Sequence, residues 1–219
     1  MHRIHSQTVL DPIGLMRACA EGLLGDLIRS ARCGDSDITN ELPIHAVIQS
    51  IAASRGYHHH HEYPIFKRHI LGDWHRIDFV FHREIYTEIA KPRGTKQYSL
   101  RHDVVALEVK LYGTETLNNT DPFSEVGATK SDIRACRDVT ADMKKLVVFC
   151  TKMSNVAKRL GIDANVNAFF LAINLDAHRG ISWDPVKARL SAAKVEYVDR
   201  FEYTSQSVSK STTLYQIQP

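Results

Sequence analysis

The sequence lacks the cysteine, membrane and export features that would place it in several common classes of protein. Its four cysteines form no CxxC pair and have no histidine partner at zinc-ligand spacing: Cys19, Cys33, Cys136 and Cys150. No uncharged apolar run reaches about 18 residues, and no apolar segment follows the basic residues at the N-terminus. These absences predict a cytoplasmic protein with scattered reduced thiols, no export signal and no membrane span.

Motifs of several large enzyme classes are also missing. The chain contains no GxSxG, no GxGxxG and no GxxxxGKS or GxxxxGKT, so a hydrolase or transferase acting on small molecules has no support. Charge of one sign is not in large excess either, because 28 Lys and Arg stand against 25 Asp and Glu. The net charge of +3 permits contact with a polyanion but is far from the charge density of a histone-like protein.

What is present is an α/β pattern in 219 residues, which is enough for one domain over residues 1–219. Hydrophobic periodicity predicts helices over 12–30, 41–55, 124–139, 155–161 and 184–194. It predicts strands over 62–70, 74–84, 102–112, 145–151, 167–175 and 195–203. Residues 85–101 are predicted as a loop or a ragged strand extension, and the Ser/Thr-rich tail 204–219 as loose chain. The order implies a mixed sheet with helices on both faces.

The third predicted strand carries opposite charges inside an otherwise apolar run. Glu108 and Lys110 are two residues apart, so they point to the same face of the strand. Asp78 lies on the preceding strand, and pairing of the two strands can bring its carboxylate beside Glu108. Two nearby carboxylates repel each other unless a cation lies between them, and Mg²⁺ prefers carboxylate, water and phosphate oxygens. A lysine beside such an ion can stabilise the charge that develops during phosphodiester hydrolysis.

At these residues the sequence resembles the PD-(D/E)XK nuclease superfamily, which has the restriction-endonuclease-like fold. The family signature is an Asp on one strand and a Glu-x-Lys or Asp-x-Lys on the next. Here these correspond to Asp78 and to the run Glu108, Val109, Lys110. A Glu from the preceding helix often completes the signature, and Glu41 stands at that place.

The resemblance covers about residues 37–175 and implies an αβββαβ core, with a mixed sheet flanked by helices. The predicted helix 12–30 and an αβ extension over 184–203 lie outside that core. One departure is that Ile77 precedes Asp78, where the family name has proline.

The family's functions imply a metal-dependent endodeoxyribonuclease that uses Mg²⁺, with Mn²⁺ as a substitute. The implied partner is DNA, and no association with a membrane is expected. The implied catalytic residues are Glu41, Asp78, Glu108 and Lys110. The implied metal ligands are Asp78, Glu108 and the main-chain carbonyl of Val109. Lys130 and Arg134, on the helix after the third strand, are candidates for contacts with the nucleic acid. Many compact nucleases act as homodimers, and that assembly stays open here.

Alternatives remain at several positions. Glu108 and Lys110 also fit an ordinary ion pair on a solvated strand face. Glu62, Asp73 and Asp103 are substitutes if the true ligands are shifted. The run His58–His61 suggests a metal site only weakly, because adjacent strand residues face opposite ways and at most two of the four share a face. At the level of function, the alternative is a non-catalytic nucleic-acid-binding or assembly module that keeps the nuclease fold.

Overall fold

A computed structural model describes residues 11–32, 42–67, 74–90, 96–112, 130–174, 194–204 and 209–218. Its helices are α1 (Pro12–Arg32), α2 (Leu42–Ser54) and α3 (Lys130–Leu160). Its strands are β1 (His58–Lys67), β2 (Trp74–Ala90), β3 (Lys96–Tyr112), β4 (Ala164–Asn174), β5 (Lys194–Thr204) and β6 (Ser209–Gln218). None of the helices in these ranges is long and apolar enough to cross a membrane.

The strands form one mixed sheet in the order β1-β2-β3-β4-β6-β5. Antiparallel pairing joins β1 to β2, β2 to β3, β4 to β6 and β6 to β5. Strands β3 and β4 are parallel, and the long helix α3 lies between them in sequence, as a parallel connection requires. The central strands β3 and β4 are covered on both faces, so they read as nearly continuous apolar runs.

Two apolar cores cover the two faces of the sheet. Helices α1 and α2 pack on one face, where side chains such as Leu23, Ile48 and Phe169 are fully or almost fully buried. Helix α3 packs on the other face through a stripe of residues that includes Met143 and Phe149. The predicted α/β class, with a mixed sheet flanked by helices, is therefore confirmed.

The prediction of a buried strand over 145–151 was wrong, because these residues belong to α3. The apolar run continues a helical stripe at intervals of three and four residues, and its buried members are Val139, Met143, Leu146, Phe149 and Cys150. Helix α3 thus joins the two shorter helices that were predicted on either side. It ends at Leu160, before Gly161, whose φ of 64° suits glycine at a helix end.

Of two predictions of irregular chain, that of a loose tail was wrong, whereas residues 85–101 follow the second alternative predicted for them, a strand extension. Strands β2 and β3 extend through the described parts of 85–101, where they pair from Ile85↔Arg101 to Ala90↔Lys96. The tail forms β6, which lies inside the sheet between β4 and β5. The Thr212 side chain is buried there, and its hydroxyl donates a hydrogen bond of 3.0 Å to the Ala20 carbonyl. The predicted helix 184–194 lies almost entirely outside the described residues.

Candidate functional site

Strands β2 and β3 separate next to the residues that carry the predicted carboxylates. Their antiparallel pairing ends at Phe79↔Leu107, one residue short of Asp78 and Glu108. Asp78 takes the place of the ladder here, because its Oδ2 accepts a hydrogen bond of 2.8 Å from the Val109 N–H. A carboxylate therefore lies where the backbone pairing stops.

Only the main chain of Val109 can take part in a site at this place. Its side chain is buried in the core on the α1 and α2 face of the sheet. The N–H and C=O of one strand residue point to the same side of the strand. The Val109 carbonyl therefore faces β2, as does the N–H that donates to Asp78. This is the side on which a metal ligand would be needed.

Glu108 is held from the other side by a lysine of α3. The Lys145 Nζ lies 2.9 Å from Glu108 Oε1 and 2.9 Å from Asp142 Oδ1, and it donates a hydrogen bond of 3.0 Å to the Arg76 carbonyl. Glu108 Oε1 is buried, and the Lys145 ammonium is its close partner.

The electrostatic environment works against a charged Glu108. Its side chain is almost fully buried, and this burial raises the pKa of Glu108 well above its ordinary value. The negative charges of Asp78 and Asp142 raise the pKa further, while Lys145 only partly opposes the shift. Three carboxyl groups thus lie close enough to interact, with an ammonium group between two of them.

Lys110 joins the same group of charges but is held more loosely. Its Nζ lies 3.7 Å from Asp142 Oδ2, and its side chain is 36% exposed. Lys145, in comparison, is only 18% exposed. We refer to Asp78, Glu108, Lys110, Asp142 and Lys145 together as the carboxylate site. Asp142 links its two lysines, since each of them approaches one of its two oxygens.

The remaining predicted residues are placed as follows. Glu41 and Asp73 lie outside the described residues. Lys130 and Arg134 lie in the first turns of α3, and their side chains are among the atoms that the structure does not describe. The proposed substitutes are engaged elsewhere. Glu62 is exposed and forms an ion pair of 3.2 Å with Arg76, whereas Asp103 is buried and pairs with Arg83 at 3.0 Å.

Asp142 and Lys145 are members of the site that sequence reasoning missed. They stand three residues apart on α3, beside the buried stripe formed by Met143 and Leu146. A strand assignment for 145–151 hid this spacing. One continuous helix through 160 would have placed both charges at the border of the apolar face, directed toward the sheet.

His45 on α2 was also missed, although it stands only four residues after Glu41 in the sequence. Its ring centre lies 4.6 Å from that of His61 and 4.8 Å from that of Phe79. Among the described residues, neither of its ring nitrogens has a hydrogen-bond partner. Burial and the neighbouring His61 lower the pKa of His45, and the charge of Asp78 acts in the opposite direction. His45 therefore packs against His61 and Phe79 on the α1 and α2 face of the sheet, where it still senses the charge of Asp78.

Comparison of the chain with protein-family models, with curated proteins and with solved structures found no match in any of the three. Over the ranges that the structure describes, no three His, Cys, Asp or Glu side chains are already arranged to hold a metal ion. The chemistry of the carboxylate site therefore has to follow from its own residues.

Proposed function

We propose that the protein is a Mg²⁺-dependent endonuclease that hydrolyses phosphodiester bonds of DNA, in restriction, phage defence, mobile-element or repair functions of the cytoplasm. The observation that carries the proposal is the meeting of Asp78, Glu108 and Lys110 where β2 and β3 separate. The element order α2-β1-β2-β3-α3-β4 supports it, because the nuclease superfamily that the sequence resembles has an αβββαβ core.

The residues of the site fit a hard divalent cation. Asp78 and Glu108 offer carboxylate oxygens, and the Val109 carbonyl faces the same side of β3 as the bond to Asp78. Glu108 is almost fully buried near two other carboxyl groups, so a divalent cation would offset negative charge that Lys145 only partly opposes. Mg²⁺ at this place would neutralise the carboxylates and acidify a bound water. Lys110 would then face the phosphate and stabilise its developing negative charge.

A specific observation also favours the second candidate, a non-catalytic nucleic-acid-binding or assembly module. The Lys145 ammonium lies between Glu108 and Asp142 and is 2.9 Å from an oxygen of each. A lysine in this position can replace the charge of a metal ion and stabilise the fold without any chemistry. In the nuclease, by contrast, Lys145 leaves Glu108 free enough to bind the cation while it remains paired with Asp142.

Cleavage of plasmid, linear and single-stranded DNA with Mg²⁺, Mn²⁺ or EDTA tests the proposal. We expect nicking that depends on the metal and is lost in Asp78→Ala and Glu108→Ala, because one remaining carboxylate cannot hold a weakly bound hard cation. Glu62→Ala is the matched control, since it removes an exposed carboxylate of the neighbouring strand and should cleave at the parental rate.

Metal titration separates the two candidates. The nuclease binds Mg²⁺ in the parental protein and loses that binding in Glu108→Ala. The module binds no Mg²⁺ until Lys145→Ala removes the ammonium group, and it binds DNA equally well with EDTA. Metal-independent DNA binding without cleavage would therefore overturn the nuclease and support the module.

A further inference from the structure

Histidines from three strands cluster on the α3 face of the sheet, away from the carboxylate site. His58 and His60 lie on β1, His82 on β2 and His102 on β3. His58 pairs directly with His82 in the β1–β2 ladder. Three of these histidines border an apolar pocket of about 250 Å³, namely His60, His82 and His102. We call His58, His60 and His82 the histidine triad.

The other two histidines of the run face the opposite side of the sheet. His61 lies against His45 and Phe79, with ring centres 4.6 Å and 5.3 Å away. Strand alternation places His59 on that same side. The run His58–His61 therefore divides into two pairs, and it is His58 and His60 that contact His82 on β2.

The spacing of His82 to each of the other two histidines of the triad matches that of imidazoles bound to one metal ion. Two imidazole rings that bind one tetrahedral ion through nitrogens at about 2.0–2.1 Å have their centres about 5 Å apart. The His82 ring centre lies 5.2 Å from that of His58 and 5.4 Å from that of His60. Their backbones are also close, because His58 and His82 are directly opposite and His60 is two residues further along β1.

We propose that His58, His60 and His82 bind Zn²⁺ or a similar borderline transition-metal ion, and that this ion joins the edge strand β1 to β2. The three side chains are exposed. Binding requires only rotation of the imidazole rings, whose χ2 angles are broadly distributed. The triad is distinct from the carboxylate site, because His82 is four residues from Asp78, about 13 Å along β2. Nitrogen ligands also select a different ion from the oxygen ligands of that site.

Calorimetric titration of the full chain with Zn²⁺ tests this site. We expect one Zn²⁺ per chain in the parental protein. The double variant His58→Ala/His60→Ala and the single variant His82→Phe should each weaken binding by at least about tenfold, since removing even a supporting contact of a metal ligand has that effect. The matched control His59→Ala/His61→Ala removes two histidines of the same run from the opposite face and should retain the parental affinity.

Repeating the Zn²⁺ titration in Glu108→Gln tests the histidine triad separately from the proposed nuclease site. That variant should lose Mg²⁺ binding and keep Zn²⁺ binding, so failure of one site does not imply failure of the other. Circular dichroism shows whether each variant is folded, and His82→Phe retains a ring of similar shape if the alanine variants unfold. Equal loss of Zn²⁺ affinity in both double variants, or parental affinity in all of them, would overturn the proposal.

Discussion

The two lysines of the carboxylate site differ in how firmly they are held. Lys145 contacts Glu108, Asp142 and the Arg76 carbonyl, all within 3.0 Å. Lys110 forms an ion pair of 3.7 Å with Asp142 and is twice as exposed as Lys145. A side chain that is loosely held at the border of a site can turn toward a substrate. We therefore assign structural stabilisation to Lys145 and stabilisation of the phosphate to Lys110 in the proposed nuclease.

This division of roles predicts the effect of removing the Lys110 charge. Lys110→Ala should leave Mg²⁺ and DNA binding in place, while turnover falls by on the order of 10² or more, the scale for losing a positioned charge or proton-transfer group. Lys110→Arg should not restore the rate, because the guanidinium is bulkier and stays protonated. Binding titrations and plasmid nicking on the same preparations measure both effects.

Lys158→Ala serves as the control, since Lys158 is an exposed lysine in the last turn of α3. It should cleave at the parental rate. If Lys110→Ala also did so, Lys110 would be no more than an ion-pair partner of Asp142.

At the residue scale, short-range periodicity could predict only part of the carboxylate site. Glu108 and Lys110 follow from the two-residue repeat of one strand, and Asp78 follows from its place on the neighbouring strand. Asp142 and Lys145 reach the site from α3, and His45 approaches Asp78 from α2. Their contribution depends on how α2 and α3 cross the sheet, which no local pattern specifies. The prediction for Glu41 stays a prediction, because that residue lies outside the described ranges.

At the scale of elements, the errors arose where one pattern fits two structures. A short apolar run such as 145–151 is compatible with a buried strand or with a buried segment of helix. The i, i+3 and i+4 spacing that decides for a helix becomes visible only over the whole of α3. Strand β6 was missed because its Ser and Thr residues suggest loose chain. Its alternation of Leu214 with Tyr215, each buried on a different face, is that of an inner strand.

The contact between α1 and α2 allows a test of helix packing. A Cβ atom added at Gly25 would meet its nearest neighbour, Arg29 Nη1, at an ordinary distance of 3.7 Å. At Gly22 it would lie 2.5 Å from Cδ1 of Ile51, which is too close. Gly25→Ala should therefore stabilise the protein by about 0.5–1 kcal/mol, the penalty for glycine inside a helix. Gly22→Ala should lose that gain, because Ile51 has to move.

A double-mutant cycle measured by urea unfolding checks the explanation. Ile51→Val removes the Cδ1 atom, so Gly22→Ala/Ile51→Val should be more stable than the sum of the two single changes predicts. Strict additivity would show that Ile51 already moves aside at no cost. Gly25→Ala should add independently to Ile51→Val.

At the scale of the whole molecule, the carboxylate site reduces stability in order to hold charge in a buried place. Glu108 is 2% exposed and lies near two other carboxyl groups. An apolar or neutral side chain would pack there at lower cost, since burying a charge is unfavourable unless it is fully paired and hydrogen-bonded. Sites that use perturbed carboxyl groups commonly oppose the stability of the fold in this way.

The pH dependence of unfolding should reveal this cost. The pKa of Glu108 is raised above its ordinary value of 4.5 in the folded protein, so the folded chain binds a proton that the unfolded chain releases. The parental protein should therefore lose stability as the pH rises above about 4.5 and through the folded pKa, and Glu108→Gln should not show this loss. At pH 7 we expect Glu108→Gln to be more stable by about 1–3 kcal/mol, the scale of the desolvation penalty of a buried polar group. Glu62→Gln, which changes an exposed ion pair, should follow the parental curve within about 1 kcal/mol.

Mg²⁺ should raise the midpoint of thermal unfolding of the parental protein and leave that of Glu108→Gln unchanged. A Glu108→Gln protein that is less stable than the parent at pH 7 would mean that the ion pair with Lys145 outweighs the burial of the charge.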